Sequence, residues 1–296
     1  MREPTLLYCV GATKAGTSWL YRMLHNHPQC ALPDVKEAHY WDTADTNEAR
    51  GFADRLADRA GTLSRKIVKA EFGGNTAWAA NMKRHRAAIE ALSHVVTGDR
   101  VGHAAYLDWL GFGRTDARGV ADMTPSYALL SEDELRQMVA ARPDVKVIYL
   151  IRDPFARLWS HVRMAANRQG QDVATAANDK LARILAGKGD RSIVVRCDYR
   201  DAIQKLRTVV PVQDLLIEYT EDMLTPAGWA RICEFLNIDI QEFDPERQVH
   251  KGEAAKVDPE LVGPTIRFLK DQYDWVAANV GPLPREWQDN LARANA

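Results

Sequence analysis

Short apolar runs alternate along the chain with longer stretches whose apolar residues recur at helical spacing. Thr5–Val10 is such a run, and Ser18–His25 behind it has the pattern of a packed helix. Val145–Ile151 is the most continuous apolar and β-branched run, so we expect a strand buried on both faces and central in its sheet. Leu215–Tyr219 predicts a further strand. The alternation predicts an α/β fold, with a P-loop-like, mostly parallel sheet flanked by helices in three α/β/α layers.

Outside these apolar runs, the sequence has helical periodicity or is polar. No internal repeat and no linker divides the chain into separate domains. Asp153-Pro154 predicts a cap and a first-turn proline for the helix that follows the strongest strand. We expect one domain over residues 1–296. The other expected elements are helices over Trp229–Leu236 and around Phe268–Val276, with helical excursions or mobile regions over Asp42–Lys66 and Asn167–Arg191.

Composition narrows the possible partners. The 296 residues are 46% hydrophobic, and 39 Lys and Arg residues against 40 Asp and Glu residues give a net charge of -1. Without a general basic field, neither nucleic acid nor a membrane is an expected partner. The four cysteines are scattered and predict small buried residues, and no run suggests a signal peptide or a membrane span. A reduced, cytoplasmic location is expected.

The segment between the first strand and the first helix has the composition of an anion-binding loop. Gly11, Gly16 and Ser18 fit the G-x-x-x-x-G-K-[ST] pattern, but Thr17 occupies the lysine position and Lys14 lies inside the loop. Backbone N–H groups and the helix dipole at such a junction attract a phosphate-like group. The displaced lysine suits a donor whose terminal group differs from the γ-phosphate of ATP. An ordinary strand-turn-helix junction is the alternative.

A second candidate anion site lies at the end of the strongest strand. Arg152 follows that strand and Ser160 comes eight residues later, so a guanidinium and a hydroxyl can face the crevice at the carboxyl ends of the strands. The alternative is an arginine paired with a carboxylate and a serine on a helix surface. Two separate anion sites together indicate a nucleotide that carries phosphates at both ends.

Three segments resemble the sulfotransferases that use 3′-phosphoadenosine-5′-phosphosulfate, in the branch of carbohydrate (heparan-type) enzymes and bacterial relatives. Gly11–Ser18 resembles the 5′-phosphosulfate loop, Ile148–His161 the 3′-phosphate motif, and Lys36–Trp41 the segment with the catalytic glutamate. The resemblance implies that this nucleotide is the co-substrate. The implied donor-binding residues are Lys14, Ala15, Gly16, Thr17, Ser18, Trp19, Arg152 and Ser160, with Lys251 and Gly252 in a closing loop.

The resemblance also implies a reaction, in-line transfer of a sulfuryl group to the hydroxyl of a sugar or small metabolite. Lys14 would neutralise charge on the leaving oxygen, Glu37 or else His39 would take the acceptor proton, and Lys36 would contact the acceptor. No metal is expected. Met123 stands where the related segment has a lysine, which weakens the case for a glycan acceptor.

Two other functions fit parts of the pattern. A P-loop nucleotide kinase would need a lysine at position 17 and a magnesium-binding acid, whereas Asp153 has the features of a helix cap. A noncatalytic nucleotide-binding module would need only the two phosphate sites. The acceptor and the oligomeric state stay open at the level of sequence.

Overall fold

The computed structural model describes residues 3–112, 116–167, 172–243 and 255–294. Five strands form one sheet in the order β2-β3-β1-β4-β5, and every neighbouring pair is parallel. The strands are β1 (Thr5–Gly11), β2 (Cys30–Ala31), β3 (Gly119–Asp122), β4 (Val145–Ile151) and β5 (Leu215–Tyr219). The expected parallel α/β architecture is confirmed. The middle strand, however, is β1, whose seven residues are all buried, and β4 lies beside it.

Helices cover the sheet and extend beyond it. They are α1 (Thr17–His25), α2 (Thr46–Phe72), α3 (Thr76–Thr97), α4 (Ala104–Leu110), α5 (Glu132–Val139), α6 (Pro154–Asn167), α7 (Val173–Leu185), α8 (Arg191–Val194), α9 (Tyr199–Val209), α10 (Thr220–Met223), α11 (Pro226–Leu236), α12 (Pro259–Phe268), α13 (Lys270–Asn279) and α14 (Arg285–Ala292). The polar region after position 42 is therefore mostly helix α2. The expected C-terminal helix is two helices, α12 and α13, which meet at Leu269.

Helices α2 and α3 pack against each other and form one wall beside the sheet. Asp45 caps α2 by accepting hydrogen bonds from the N–H groups of Asn47 and Glu48. Ala49, Phe52 and other buried residues at three- and four-residue spacing form the packed stripe of this polar helix. A strongly polar sequence can therefore form 27 helical residues because only one stripe needs burial.

One cluster of buried hydrophobic residues extends from β1 to the C-terminal helix α14. Cys9, Cys30, Cys197 and Cys233 are free and buried, as the sequence predicts. Within the described ranges, no helix is both long and apolar enough to cross a membrane.

Candidate active site

The loop between β1 and α1 presents unpaired backbone N–H groups at the start of the helix. Gly16 precedes the helix at φ 85°, a left-handed conformation that favours glycine, and a Cβ there would displace the terminal Cε of Met223, 2.7 Å away. No side chain caps α1. In the part of the chain that the structure describes, the N–H groups of Gly16, Thr17 and Ser18 have no hydrogen-bond acceptor. The loop therefore keeps three donors for an anion.

Lys14 lies in this loop among other cations. Its Nζ contacts the Sδ of Met164 at 3.8 Å and forms no ion pair with any described residue. Burial lowers the pKa of the Lys14 ammonium, and the charges of Arg152, Arg163 and Lys36 lower it further. A lysine whose charge is disfavoured by three neighbouring cations is typical of a site completed by an anion.

Arg152 joins the end of β4 to the loop, because its Nη1 donates to the backbone oxygen of Lys14 at 3.3 Å. It forms no ion pair among the described residues, so the carboxylate-pair alternative is not what the structure shows. Asp153 next to it accepts from the N–H of Ala156 at 2.7 Å and from the hydroxyl of Tyr273 at 2.8 Å. This carboxylate is thus a helix cap. Among described residues, no group of three or more His, Cys, Asp or Glu side chains is placed to hold a metal ion.

Ser160 is half-buried on the face of α6 that packs against the loop. Three residues before it, Arg157 donates to the backbone oxygen of Thr13 at 3.3 Å, and four residues after it Met164 contacts Lys14. Residues at these spacings share one face of a helix. Ser160 therefore lies on the face of α6 that is turned to the loop, and Arg152 contacts the same loop. Lys251 and Gly252 lie outside the described residues.

Ala15 and Trp19 contribute less directly to the loop surface. The N–H of Ala15 donates within the loop to Ala12 at 3.0 Å. The side chain of Trp19 is buried against Trp229 and Phe243, with ring centroids 5.9 and 5.8 Å away. Trp19 thus anchors α1 in the core, and its contact with a donor stays a prediction.

Lys36 connects the anion loop to the candidate base. Its Nζ donates to the Oγ1 of Thr17 at 3.1 Å and to the Oε1 of Glu37 at 2.7 Å. Burial raises the pKa of the Glu37 carboxyl, but the charge and hydrogen bond of Lys36 outweigh burial and leave that pKa below its usual value. Glu37 has a left-handed backbone with φ 69° and His39 has φ 50°, an uncommon conformation for residues with side chains. The segment is therefore held tightly beside the loop.

His39 belongs to a hydrogen-bonded cluster with Asp42 and Ser126. The Nδ1 of His39 lies 2.8 Å from the Oδ2 of Asp42, to which the Ser126 hydroxyl also donates, and its Nε2 lies 3.9 Å from the Oε2 of Glu37. Burial lowers the pKa of the His39 imidazole, but the hydrogen bond and charge of Asp42 outweigh burial and raise it. Sequence reasoning missed Asp42 and Ser126. The three-residue spacing from His39 was the available signal for Asp42, but nothing in the pattern linked Ser126 to it.

A buried network fixes this cluster to the end of β3. The Tyr127 hydroxyl accepts from the N–H of Tyr40 at 2.9 Å and donates to the Oδ2 of Asp122 at 2.8 Å. Tyr106 donates to the same oxygen at 2.7 Å. Met123 is buried and lines a small space together with Lys36 and Glu37. A thioether thus occupies the position of the expected lysine, directly beside the lysine that the protein does have.

A cavity of about 620 Å³ opens next to Glu37 and His39. Its walls are formed by one face of α1, the segment before His39, and residues from α2 and α3. The volume is in the range of small-molecule sites. Its lining residues are Ser18, Tyr21, Arg22, His25, Asn26, Asp34, Lys36, Glu37, His39, Phe52, Arg59 and His85.

The loop before α1 and the neighbouring Glu37, His39 and Asp42 cluster together form one candidate site. Residues 6–242 match the model of the sulfotransferase family, and the chain belongs to that family. The protein is therefore a sulfotransferase-family enzyme with the α/β fold of that family. No curated protein matches the chain.

Solved structures share the fold at low sequence identity. A sulfotransferase from Alicyclobacillus acidocaldarius is 18% identical, with a TM-score of 0.59 over 97% of this chain and 100% of that one. The sulfotransferase domain of the Synechococcus PCC 7002 olefin synthase is 18% identical, with a TM-score of 0.50 over 92% of this chain and 96% of that one. The sulfotransferase domain of the curacin biosynthetic pathway is 16% identical, with a TM-score of 0.50 over 100% and 99%.

Proposed function

We propose that the protein transfers a sulfuryl group from 3′-phosphoadenosine-5′-phosphosulfate to the hydroxyl of a sugar or small metabolite. The observation that supports this function best is the position of Lys36 between the two halves of the site. It touches Thr17 at the anion loop and Glu37 at the cavity. A donor held by the loop and an acceptor held in the cavity would meet at this lysine.

The donor would be held at both of its charged ends. The free N–H groups of residues 16–18 and the hydroxyls of Thr17 and Ser18 suit the 5′-phosphate. Arg152 and Ser160 suit the 3′-phosphate, because a guanidinium and a hydroxyl bind phosphate oxygens well. Lys251 and Gly252 are proposed to close over the nucleotide on resemblance alone.

In the transfer step the acceptor oxygen bonds to sulfur while the sulfur–oxygen bond to the 5′-phosphate breaks. The bridging oxygen keeps the electron pair, and Lys14 neutralises its growing charge. The acceptor proton goes to Glu37, whose carboxylate is ionised beside Lys36. His39, the alternative base, has its Nδ1 engaged by Asp42 and a raised pKa, which suits a positioning role next to Glu37.

The other two functions are less well supported. Lys14 is placed inside the loop, and Asp153 is engaged as a helix cap, so the requirements of a magnesium-dependent kinase are unmet at both positions. A binding module would not need the Glu37, His39 and Asp42 cluster.

Calorimetric titration with 3′,5′-adenosine bisphosphate, adenosine 5′-phosphate and magnesium-ATP tests the donor directly. We expect the bisphosphate to bind tightest, and Arg152→Ala to remove its advantage over adenosine 5′-phosphate. Tighter binding of magnesium-ATP would support the kinase instead. Bisphosphate binding without sulfuryl transfer to any hydroxyl compound would support the binding module.

A further inference from the structure

The proposed acceptor cavity is lined by more basic than acidic side chains, and each of its carboxylates already has a nitrogen partner. The Oδ1 of Asp34 lies 3.0 Å from the Nε2 of His25, and the Oε1 of Glu37 lies 2.7 Å from the Nζ of Lys36. The backbone oxygen of Asp34 also holds the Nδ1 of His85 at 2.8 Å. Both acids on the wall therefore have cationic or ionisable partners of their own.

Arg22 on α1 and Arg59 on α2 are the two lining arginines, and both are exposed. Neither forms an ion pair or hydrogen bond with the described residues. No Asp or Glu stands three or four residues to either side of them, so their own helices cannot supply a counter-ion. Arg86 on α3, by contrast, pairs with Glu90 one turn later. The two guanidiniums thus line a cavity in which neither forms an ion pair with a described residue.

Arg59 is also linked electrostatically to the candidate base. Its charge contributes to the lowered pKa of the Glu37 carboxyl, which lies on the same cavity. The buried Phe52 ring, two helical turns before Arg59 on α2, also lines the cavity and supplies an apolar surface there. The cavity therefore combines the candidate base Glu37, the apolar ring of Phe52 and guanidiniums that have no ion-pair partner among the described residues.

We propose that the acceptor is a small hydroxyl compound that carries its own anionic group, a carboxylate or a phosphate ester, bound by Arg59 and Arg22. This inference rests on the proposed sulfuryl transfer. A planar guanidinium binds carboxylate or phosphate oxygens through paired hydrogen bonds, and this contact would turn the hydroxyl toward Glu37. Neutral sugars of similar size would leave both arginines without a partner.

The test measures binding to enzyme saturated with 3′,5′-adenosine bisphosphate, together with transfer from radiolabelled donor. The probes are matched acids and neutral analogues: lactate and lactamide, mandelate and mandelamide, glucuronate and glucuronamide, and glycerol phosphate and glycerol. The variants are Arg59→Met and Arg22→Met, with Arg65→Met as the control, because Arg65 is an exposed arginine on α2 that does not line the cavity.

We expect the acid of at least one pair to bind and react about tenfold or more better than its neutral analogue. Arg59→Met should abolish that preference and Arg65→Met should keep it, with bisphosphate affinity equal in all proteins. Equal or better use of the neutral analogues, failure of every pair to bind, or a preference that survives both cavity variants would overturn the proposal. If the unmodified protein does not bind the bisphosphate, the proposed function itself is overturned.

Discussion

The proposed donor side and the proposed acceptor side of the site are built in different ways. The donor side consists of one loop, the end of β4 and one face of α6, and backbone atoms supply many of its contacts: Arg152 and Arg157 both donate to loop carbonyls. The acceptor side consists of side chains from α1, α2, α3 and the segment before His39. A donor common to a family suits a site fixed by backbone, whereas side chains on separate helices can change with each acceptor.

Removal of Lys14 is expected to have the largest effect on transfer. Lys14→Met should lower kcat by about 100- to 1000-fold, because a preorganised charge at the leaving oxygen is lost. Bisphosphate affinity should fall much less, since the N–H groups of residues 16–18 remain. Single-turnover kinetics and calorimetry measure the two quantities. Lys270→Met, which changes an exposed lysine paired with Asp274, is the matched control and should behave like the unmodified protein.

Glu37→Gln tests the acceptor side without changing its shape. We expect kcat to fall by about 100-fold or more, the usual contribution of a positioned base, with bisphosphate affinity unchanged. Steady-state kinetics and calorimetry on the same preparation separate these quantities. A variant that retains full turnover would exclude Glu37 as the base and point to His39.

Asp42→Asn should have a smaller effect, because Asp42 acts through His39. The loss of the carboxylate lowers the pKa of the His39 imidazole, so the pH dependence of kcat that follows this group should shift toward lower pH. We expect about a tenfold loss of kcat by analogy with other orienting partners. A pH profile identical to that of the unmodified protein, with any loss of kcat, would indicate a structural role alone.

The smallest expected effect concerns stability. The pKa of His39 is raised in the folded protein, so its contribution is present below the unfolded value of about 6.5 and is lost as pH rises through the folded pKa. The Tm difference between the unmodified protein and His39→Gln should therefore shrink as the pH rises from about 6.5 through the folded pKa. Thermal scans across that range check it. A difference that grows with pH would contradict the raised pKa.

Features formed by contiguous residues could be predicted from the sequence, whereas features formed by packing of distant elements could not. The same distinction separates the two sides of the site. The bounds of β4 and β5 match the structure, because each is an apolar run flanked by polar residues. Strands β2 and β3 have two and four residues, too short for a recognisable period. The loop and the end of β4 are contiguous motifs, so the sequence could predict them as candidate sites. Packing of elements that are distant in sequence places Asp42, Ser126 and Arg59 at the site. No local sequence pattern could predict that arrangement.

The double contact of Lys36 has a consequence for the timing of the reaction. Its ammonium is shared between Thr17 and Glu37 and keeps the carboxylate poorly basic. The proposed donor would bring negative charge to the same ammonium and compete with Glu37 for it, which would raise the proton affinity of the carboxylate. Glu37 would thus become an effective base only after the donor has bound. An acceptor that binds before the donor would keep its hydroxyl proton.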